Sequence, residues 1–118
     1  MTHEREVAYI SGAITHDPHY KSKFADAEMV LDHLGYRVIN PCILPEGLRY
    51  DEYMRIDLLL VEIADTIVML PDWMQSDGAT LEHDHAARLG KRIIAYHGIN
   101  TESPMAVKAA WKDMIKNS

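Results

Sequence analysis

Short, continuous apolar runs alternate along the chain with longer segments in which apolar residues recur at helical spacing. The runs are rich in β-branched residues, and each ends at or beside a glycine or a proline. Such runs are typical of strands that are covered on both faces of a sheet. The predicted strands span 7–11, 36–40, 65–71 and 91–98.

The segments between and after these strands predict four helices. They span about 21–34, 51–64, 78–89 and 104–117. Glycines follow the first and third helices as C-caps, and Pro104 opens the last one. The second helix is expected to bury one face, which is formed by Tyr53, Ile56, Leu60 and Ile63.

Strands that alternate with helices imply right-handed parallel crossovers. We therefore predict a single α/β domain over residues 1–118, a three-layer sandwich of the flavodoxin- or Rossmann-like kind. Its parallel sheet would have four to five strands in the order 2-1-3-4. In such sheets ligands bind at the carboxyl ends of the strands, where the strand order reverses, here strands 1 and 3.

Composition and charge narrow the class of protein. The 118 residues are 47% hydrophobic and 25% charged, as in an ordinary globular protein. A formal net charge of −6 without a basic run argues against a duplex nucleic acid or a membrane surface as partner. The one cysteine, Cys42, allows neither an internal disulfide nor a cysteine zinc cluster. No leader or membrane span is apparent, so a cytoplasmic location is expected.

Polar residues cluster after three of the strands. Strand 1 brings Tyr9, Ser11 and Gly12, and strand 4 is followed by His97, Asn100 and Thr101. The segment after strand 3 brings Asp72, Trp73, Ser76, Gly78 and Glu82. These residue types suit a sugar or a phosphate. Neither a dinucleotide fingerprint nor a P-loop is present, so no cofactor is expected.

The start of the third helix allows two interpretations at two positions. Ser76 with Gly78 forms either an anion site or a simple N-cap, and spacing favours the cap. Glu82 is either a solvent-facing residue near the helix start or an ionised nucleophile for glycosyl transfer. Position alone favours the solvent-facing residue. In both cases the positive end of the helix is expected to keep Glu82 ionised.

Two further residues are ambiguous, and a metal site is not expected. Asp57 lies in an apolar stretch, where burial would raise its pKa and suit it to be a general acid, although a solvent-facing position is narrowly favoured. Trp73 either stacks on a base or covers the edge of the core. His83 and His85 point in different directions on a helix, which disfavours a shared metal ion.

Three stretches together resemble the nucleoside 2-deoxyribosyltransferase superfamily. They are YISGAI, AEMVLDHLGYRVINP and YMRIDLLLVEIADTIVMLPDWMQSDGATLEHDHAARLGKRII, and the resemblance extends from about Val7 to Tyr96. The chain is most similar to the small phage and bacterial members described only as domains of unknown function. It also lies near the branch that hydrolyses 2′-deoxynucleoside 5′-monophosphates.

The resemblance implies roles for four residues. Glu82 matches the nucleophile that attacks C1′ of the deoxyribose, Tyr9 the tyrosine that orients it, and Asp57 a candidate general acid. Ser76 matches the phosphate-tolerant serine of the monophosphate hydrolases, where the transferases have an aspartate. A second phosphate-binding serine of those hydrolases is replaced here by Ala13. Homo-oligomers, at least dimers, with sites completed across the interface are also implied.

The expected activity is cleavage of the N-glycosidic bond of a 2′-deoxynucleoside 5′-monophosphate or a nucleoside, through a covalent intermediate on Glu82. The base would be released to water or exchanged. The alternative is a non-catalytic module that binds a nucleotide in the same crevice. The expected substrate-binding residues are Ser11, Gly12, Asp72, Trp73, Ser76, Gly78 and Asn100.

Overall fold

The computed structural model describes residues 5–97. Within them β1 (Val7–Ser11), β2 (Arg37–Ile39), β3 (Thr66–Met69) and β4 (Arg92–Ala95) alternate with α1 (Tyr20–His33), α2 (Tyr50–Ile63) and α3 (Asp77–Arg88). Short 3₁₀ turns at Pro41–Ile43 and Trp73–Gln75 follow β2 and β3. The predicted last helix, Asn100 and Thr101 lie outside the described residues.

The strands form one parallel sheet in the order β2-β1-β3-β4. In the register of the central pairs, Tyr9 lies beside Ile67, and Ile67 lies beside Ile93. The predicted α/β class and strand order are confirmed. The strand order reverses between β1 and β3, so a crevice is expected at their carboxyl ends.

Two apolar clusters cover the two faces of the sheet. Ala8 and Ile10 pack with Phe24 of α1 on one face. Tyr9 and Ile67 face the other side, where α2 and α3 contribute residues such as Val61 and Ala86. Alternate residues of a strand point to opposite faces. Tyr9 and Ser11 therefore share the α2–α3 side of β1.

The predicted buried face of α2 is wrong, because the helix turns a different side toward the core. The helix buries Met54, Asp57 and Val61, whereas Ile63 is 63% exposed. Apolar residues surround this helix almost completely after Asp57, so their spacing alone did not define its inner face. The narrowly favoured solvent-facing position of Asp57 is wrong for the same reason.

The predicted ends of α1 and α3 are confirmed by glycines in the left-handed region. Gly35 has a φ of +96° and Gly90 a φ of +72°, each directly after the residue that caps the helix. Among residues 5–97, no helix has the length and the apolar character needed to cross a membrane.

Candidate active site

Three elements bring a phenol, two carboxyls and a hydroxyl together at the carboxyl end of β1. Tyr9 and Ser11 come from β1, Asp57 from the middle of α2, and Glu82 from α3. Tyr9 and Ser11 are fully buried, and Asp57 and Glu82 are each only 6% exposed. Buried carboxyls are unusual unless they are paired. This buried group is therefore the strongest candidate for chemistry in the described part of the chain.

Ser11 is a direct partner of Glu82. Its Oγ donates a hydrogen bond of 2.7 Å to Oε1 of the Glu82 carboxyl, and both side chains are buried. Ser11 is not among the residues that line the crevice, so the partner that the structure shows for it is Glu82. A donor in this position favours the charged form of Glu82 and fixes one of its oxygens.

The Tyr9 hydroxyl faces both carboxyls. Burial raises the pKa of Tyr9 well above its usual value, and the nearby charges of Glu82 and Asp57 raise it further. Its oxygen makes no hydrogen bond of ordinary length and angle to a described residue, and the same holds for Oδ1 of Asp57. Buried polar atoms normally have partners. Tyr9 is fully buried and does not line the cavity beside the carboxyls, whereas Asp57 does.

The two carboxyls share their proton equilibria. Burial raises the pKa of Glu82 to about 8, and the charge of Asp57 adds to this effect while the Ser11 hydrogen bond opposes it. Burial raises the pKa of Asp57 to about 6, and the adjacent Glu82 and Tyr9 side chains oppose this shift. Between these values the pair carries one proton, and its position is a property of both groups.

The prediction that the helix end keeps Glu82 ionised is therefore wrong. Helix α3 begins at Asp77, so Glu82 lies beyond the first turn, where the effect of the helix dipole has largely faded. Burial is the stronger influence on its pKa. The alternative of a solvent-facing Glu82 is also excluded by its burial.

A cavity of about 480 Å³ opens beside the two carboxyls. This volume is in the range of small-molecule sites. Gly12, Asp57, Ser76, Gly78 and Glu82 are the predicted site residues that line it. The remaining lining residues are Ile14, Thr15, His16, Tyr20, Pro41, Cys42, Leu44, Glu46, Tyr50, Tyr53, Met54, Gln75, Asp77 and Ala79.

Ser76 fulfils the N-cap interpretation and also lines the cavity. Its Oγ accepts a hydrogen bond of 3.1 Å from the backbone N–H of Ala79. The hydroxyl proton is still available to a ligand, because a capping oxygen acts only as an acceptor. The cap and the anion site are thus compatible at this position.

The two glycines of the cavity are explained by close packing. A Cβ atom on Gly12 would lie 2.7 Å from Cδ1 of Leu70, and one on Gly78 would lie 3.2 Å from Sδ of Met54. Contact with Leu70 is the reason that the structure gives for Gly12.

Asp72 and Trp73 do not line this cavity. Asp72 binds Lys23 and the backbone N–H of Ala13. The Trp73 ring stacks on His83, with 4.3 Å between centroids and 17° between planes. Trp73 also packs against the core cluster below α2 and α3, which agrees with the alternative of a covering role.

The histidines of α3 point apart, as expected. His83 contacts Trp73 and Asp84, whereas Nε2 of His85 lies 3.0 Å from Oε2 of Glu62. Within residues 5–97, no group of three potential ligands is placed to hold a metal ion.

Tyr50 and Met54 were missed by the sequence analysis. They precede Asp57 by seven and three residues, so they share its side of α2 and line the same cavity. This spacing indicates Tyr50 and Met54 as site residues only once Asp57 is known to point inward.

Comparison with known proteins shows the family of the chain and a solved enzyme structure with a similar fold. Residues 6–95 match the family described as Domain of unknown function (DUF4406), and the chain belongs to this family. Among solved structures, the fold is similar to that of a 2-desoxiribosyltransferase from Leishmania mexicana, with a TM-score of 0.62 and 14% sequence identity. The match covers 77% of this chain and 63% of that chain, so this protein spans less than two thirds of the enzyme's length. No curated protein has significant sequence similarity to this one.

Proposed function

We propose that this protein cleaves the N-glycosidic bond of a 2′-deoxynucleoside 5′-monophosphate, or of the corresponding nucleoside, through a deoxyribosyl ester on Glu82. The observation that carries this proposal is the buried pair of Glu82 and Asp57 on the wall of one cavity, with Ser11 hydrogen-bonded to Glu82. A nucleophilic carboxylate and a protonated carboxyl are the two groups that retaining glycosyl chemistry requires. The likeness in fold to a 2-desoxiribosyltransferase is consistent with this reaction.

In the first step, an oxygen of ionised Glu82 attacks C1′ and forms an ester with the sugar. The C1′–N bond breaks, its electron pair passes to the leaving base, and Asp57 supplies the proton that the base takes up. In the second step, Asp57 accepts a proton from water, which attacks C1′ and releases Glu82. A second base in place of water would give transfer.

The productive arrangement has the proton on Asp57 and the charge on Glu82. Of the two groups Glu82 has the higher pKa, so two interactions must favour this arrangement. The Ser11 hydroxyl stabilises the charge on Glu82. A lone pair of the bound base accepts a hydrogen bond from Asp57 only when Asp57 is protonated. Substrate binding is therefore expected to move the proton from Glu82 to Asp57.

The start of α3 supports a phosphate-bearing substrate. A Cβ atom on Gly78 would lie 3.8 Å from the Tyr50 hydroxyl and 3.9 Å from Oγ of Ser76, so both hydroxyls flank one part of the cavity. Hydroxyl donors beside the positive end of a helix attract a phosphate group. Ser76 adds no second carboxyl group beside Asp77, which also lines the cavity, whereas an aspartate at position 76 would increase the repulsion of a dianion.

The proposed assembly is a homodimer or larger homo-oligomer that completes each site. Large apolar side chains are exposed beside the cavity, with 79% exposure for Ile43, 73% for Met74 and 55% for Tyr50. Their neighbours Cys42, Leu44 and Gln75 line the cavity. Exposed apolar surface of this kind favours contact with another chain.

The proposal is tested by incubating the protein with each of the four 2′-deoxynucleoside 5′-monophosphates and the matching nucleosides. Free base is measured by chromatography, with and without an acceptor base. Release without an acceptor indicates an N-glycosidase, and release only with an acceptor indicates a transferase. Binding without release from any substrate would contradict the proposal and favour the nucleotide-binding module.

Two variants make this assay specific to the site. Glu82→Gln preserves size and should abolish base release, because a neutral amide cannot form the ester. Asp84→Asn removes a carboxylate from the exposed side of the same helix, where Oδ1 of Asp84 lies 3.1 Å from Nδ1 of the neighbouring His83. It should leave base release unchanged.

A further inference from the structure

The backbone of Ala13 is held from both sides in the loop that joins β1 to α1. Its N–H donates a hydrogen bond of 3.1 Å to Oδ1 of Asp72, and its carbonyl accepts one of 2.8 Å from Nζ of Lys23. Nζ of Lys23 also forms an ion pair with Oδ2 of Asp72. Asp72 and Lys23 thus bind each other and the same residue of the loop.

Asp17 adds a second contact between Lys23 and the same loop. Its Oδ2 lies 2.6 Å from Nζ of Lys23, and its Oδ1 accepts a hydrogen bond from the backbone N–H of His19. Side-chain exposures of 22% for Lys23, 26% for Asp17 and 27% for Asp72 show that the cluster is shielded. Burial lowers the pKa of Lys23, but the two carboxylates outweigh it and raise the pKa overall, so Lys23 stays charged.

The loop held in this way forms one wall of the candidate site. Gly12, Ile14, Thr15 and His16 all line the cavity beside Glu82. His16 has a φ of +68°, a left-handed conformation that is unfavourable for a residue with a side chain and persists where the surroundings enforce it. Lys23, Asp17 and Asp72 do not line this cavity themselves. Their effect on a ligand must therefore pass through the loop.

We propose that Lys23, Asp72 and Asp17 form a loop clamp that positions the β1–α1 loop for substrate binding. Within the proposed function, on which this role rests, they are positioning residues and not catalytic ones. The clamp leaves Glu82, Asp57 and Ser11 untouched. Its loss should therefore weaken binding of the substrate much more than it slows the chemical step.

Steady-state kinetics test this division between binding and chemistry. Lys23→Met keeps most of the apolar stem but loses three contacts of the ammonium group, so KM should rise roughly tenfold or more while kcat changes less than about threefold. Lys23→Arg, which restores a cation, should recover part of the loss. Lys91→Met is the matched control, because Lys91 donates to the backbone carbonyl of Glu62 outside the cavity, and its KM should be unchanged.

A pair of variants at Asp72 separates the charge from the hydrogen bond. Asp72→Asn keeps an oxygen that can accept from the N–H of Ala13 but loses the ion pair, whereas Asp72→Ala loses both. KM should increase in the order wild type, Asp72→Asn, Asp72→Ala. Lys23→Met combined with Asp72→Ala should cost little more than either change alone, since both release the same loop. Fully additive effects, or a fall in kcat as large as the rise in KM, would overturn the clamp.

Hydrogen exchange tests the clamp without any substrate. In Lys23→Met and Asp72→Ala, peptides covering residues 12–19 should exchange faster than in wild type, while peptides from α3 should not change. Unchanged exchange in the loop would overturn the clamp whatever the activity. If the wild-type protein releases no base, the proposed function is contradicted. The clamp would then have no role in that reaction, even if the loop exchanges faster in the variants than in the wild type.

Discussion

The hydrogen bond from Ser11 to Glu82 leads to a quantitative prediction. Replacing Ser11 with Ala removes a 2.7 Å donor from a buried carboxyl and leaves Glu82 without it. Hydrogen bonds to charged groups contribute about 1.5–3 kcal/mol. This range corresponds to roughly one to two pKa units. The pKa of Glu82, already raised to about 8 by burial, should therefore rise further.

The consequence for catalysis follows from the proton that the two carboxyls share. The reactive form carries one proton, on Asp57, so kcat/KM should have a bell-shaped pH profile with limbs set by the pair. In Ser11→Ala the charge on Glu82 is disfavoured. The maximum should fall about 10- to 100-fold, and the limb on the alkaline side should move up by about one unit or more.

The assay is base release from the preferred substrate between pH 5 and 10, which extends roughly one unit below the wild-type acid limb and roughly two units above the wild-type alkaline limb. Ser22→Ala, on the exposed side of α1, is the control and should retain the wild-type profile. Circular dichroism would establish that Ser11→Ala is folded. A lower maximum with an unmoved alkaline limb would refute the reasoning, because it would mean that Ser11 does not act through the ionisation of Glu82.

Three further outcomes are expected. The pKa of Glu82 is higher in the folded than in the unfolded state, so folded Glu82 binds its proton more tightly. The stability of the protein should therefore fall as pH rises from about 4.5 to about 8. Thermal unfolding across this range should show a smaller fall in Glu82→Gln. Gly12→Ala places a Cβ atom 2.7 Å from Leu70 and should destabilise the protein by about 1–3 kcal/mol in urea unfolding; an unchanged midpoint would contradict the packing argument. Ser76→Asp keeps a good N-cap but adds negative charge, so KM for the monophosphate should rise at least about tenfold. KM for the nucleoside and the unfolding midpoint should stay near their wild-type values. Equal effects on both substrates would argue against a phosphate at Ser76.

The sheet could be predicted from sequence because each strand is marked by residues that are close together in the chain. Each strand is a continuous apolar run with a breaker beside it, and β–α alternation leaves few topologies. Helix ends were also readable, since Gly35 and Gly90 stop α1 and α3 in the left-handed conformation. The phase of α2 was not, because apolar residues on nearly all sides of a helix do not identify its inner face.

The site was predictable only in part, because side-chain partners depend on distant contacts. Ser11 and Glu82 are 71 residues apart in sequence, and Asp72 and Ala13 are 59 apart. Position after a strand indicated that these residues lie at one edge of the sheet. It did not reveal that Ser11 would bind Glu82 or that Asp72 would bind Lys23 and the loop. The placement of Asp57 beside Glu82 likewise required the packing of α2 against α3.

The pKa of Glu82 illustrates a competition that sequence cannot decide. The helix dipole favours a charged carboxylate, and burial disfavours it. The first effect is limited to the first turn and is worth about 0.3–1 kcal/mol, whereas loss of solvent around a carboxyl is larger. The exposed fraction of 6% is what settles the direction of the shift.

The central claim is that the sugar becomes esterified to Glu82. Its most direct test is rapid acid quenching of the wild-type protein with excess substrate during the first turnover, followed by digestion and mass spectrometry. The account predicts a mass increase of one deoxyribosyl unit, with its phosphate if the substrate carries one, on the peptide that contains Glu82, and no such increase in Glu82→Gln. Base release with no adduct at any time, or with the adduct on another residue, would contradict it.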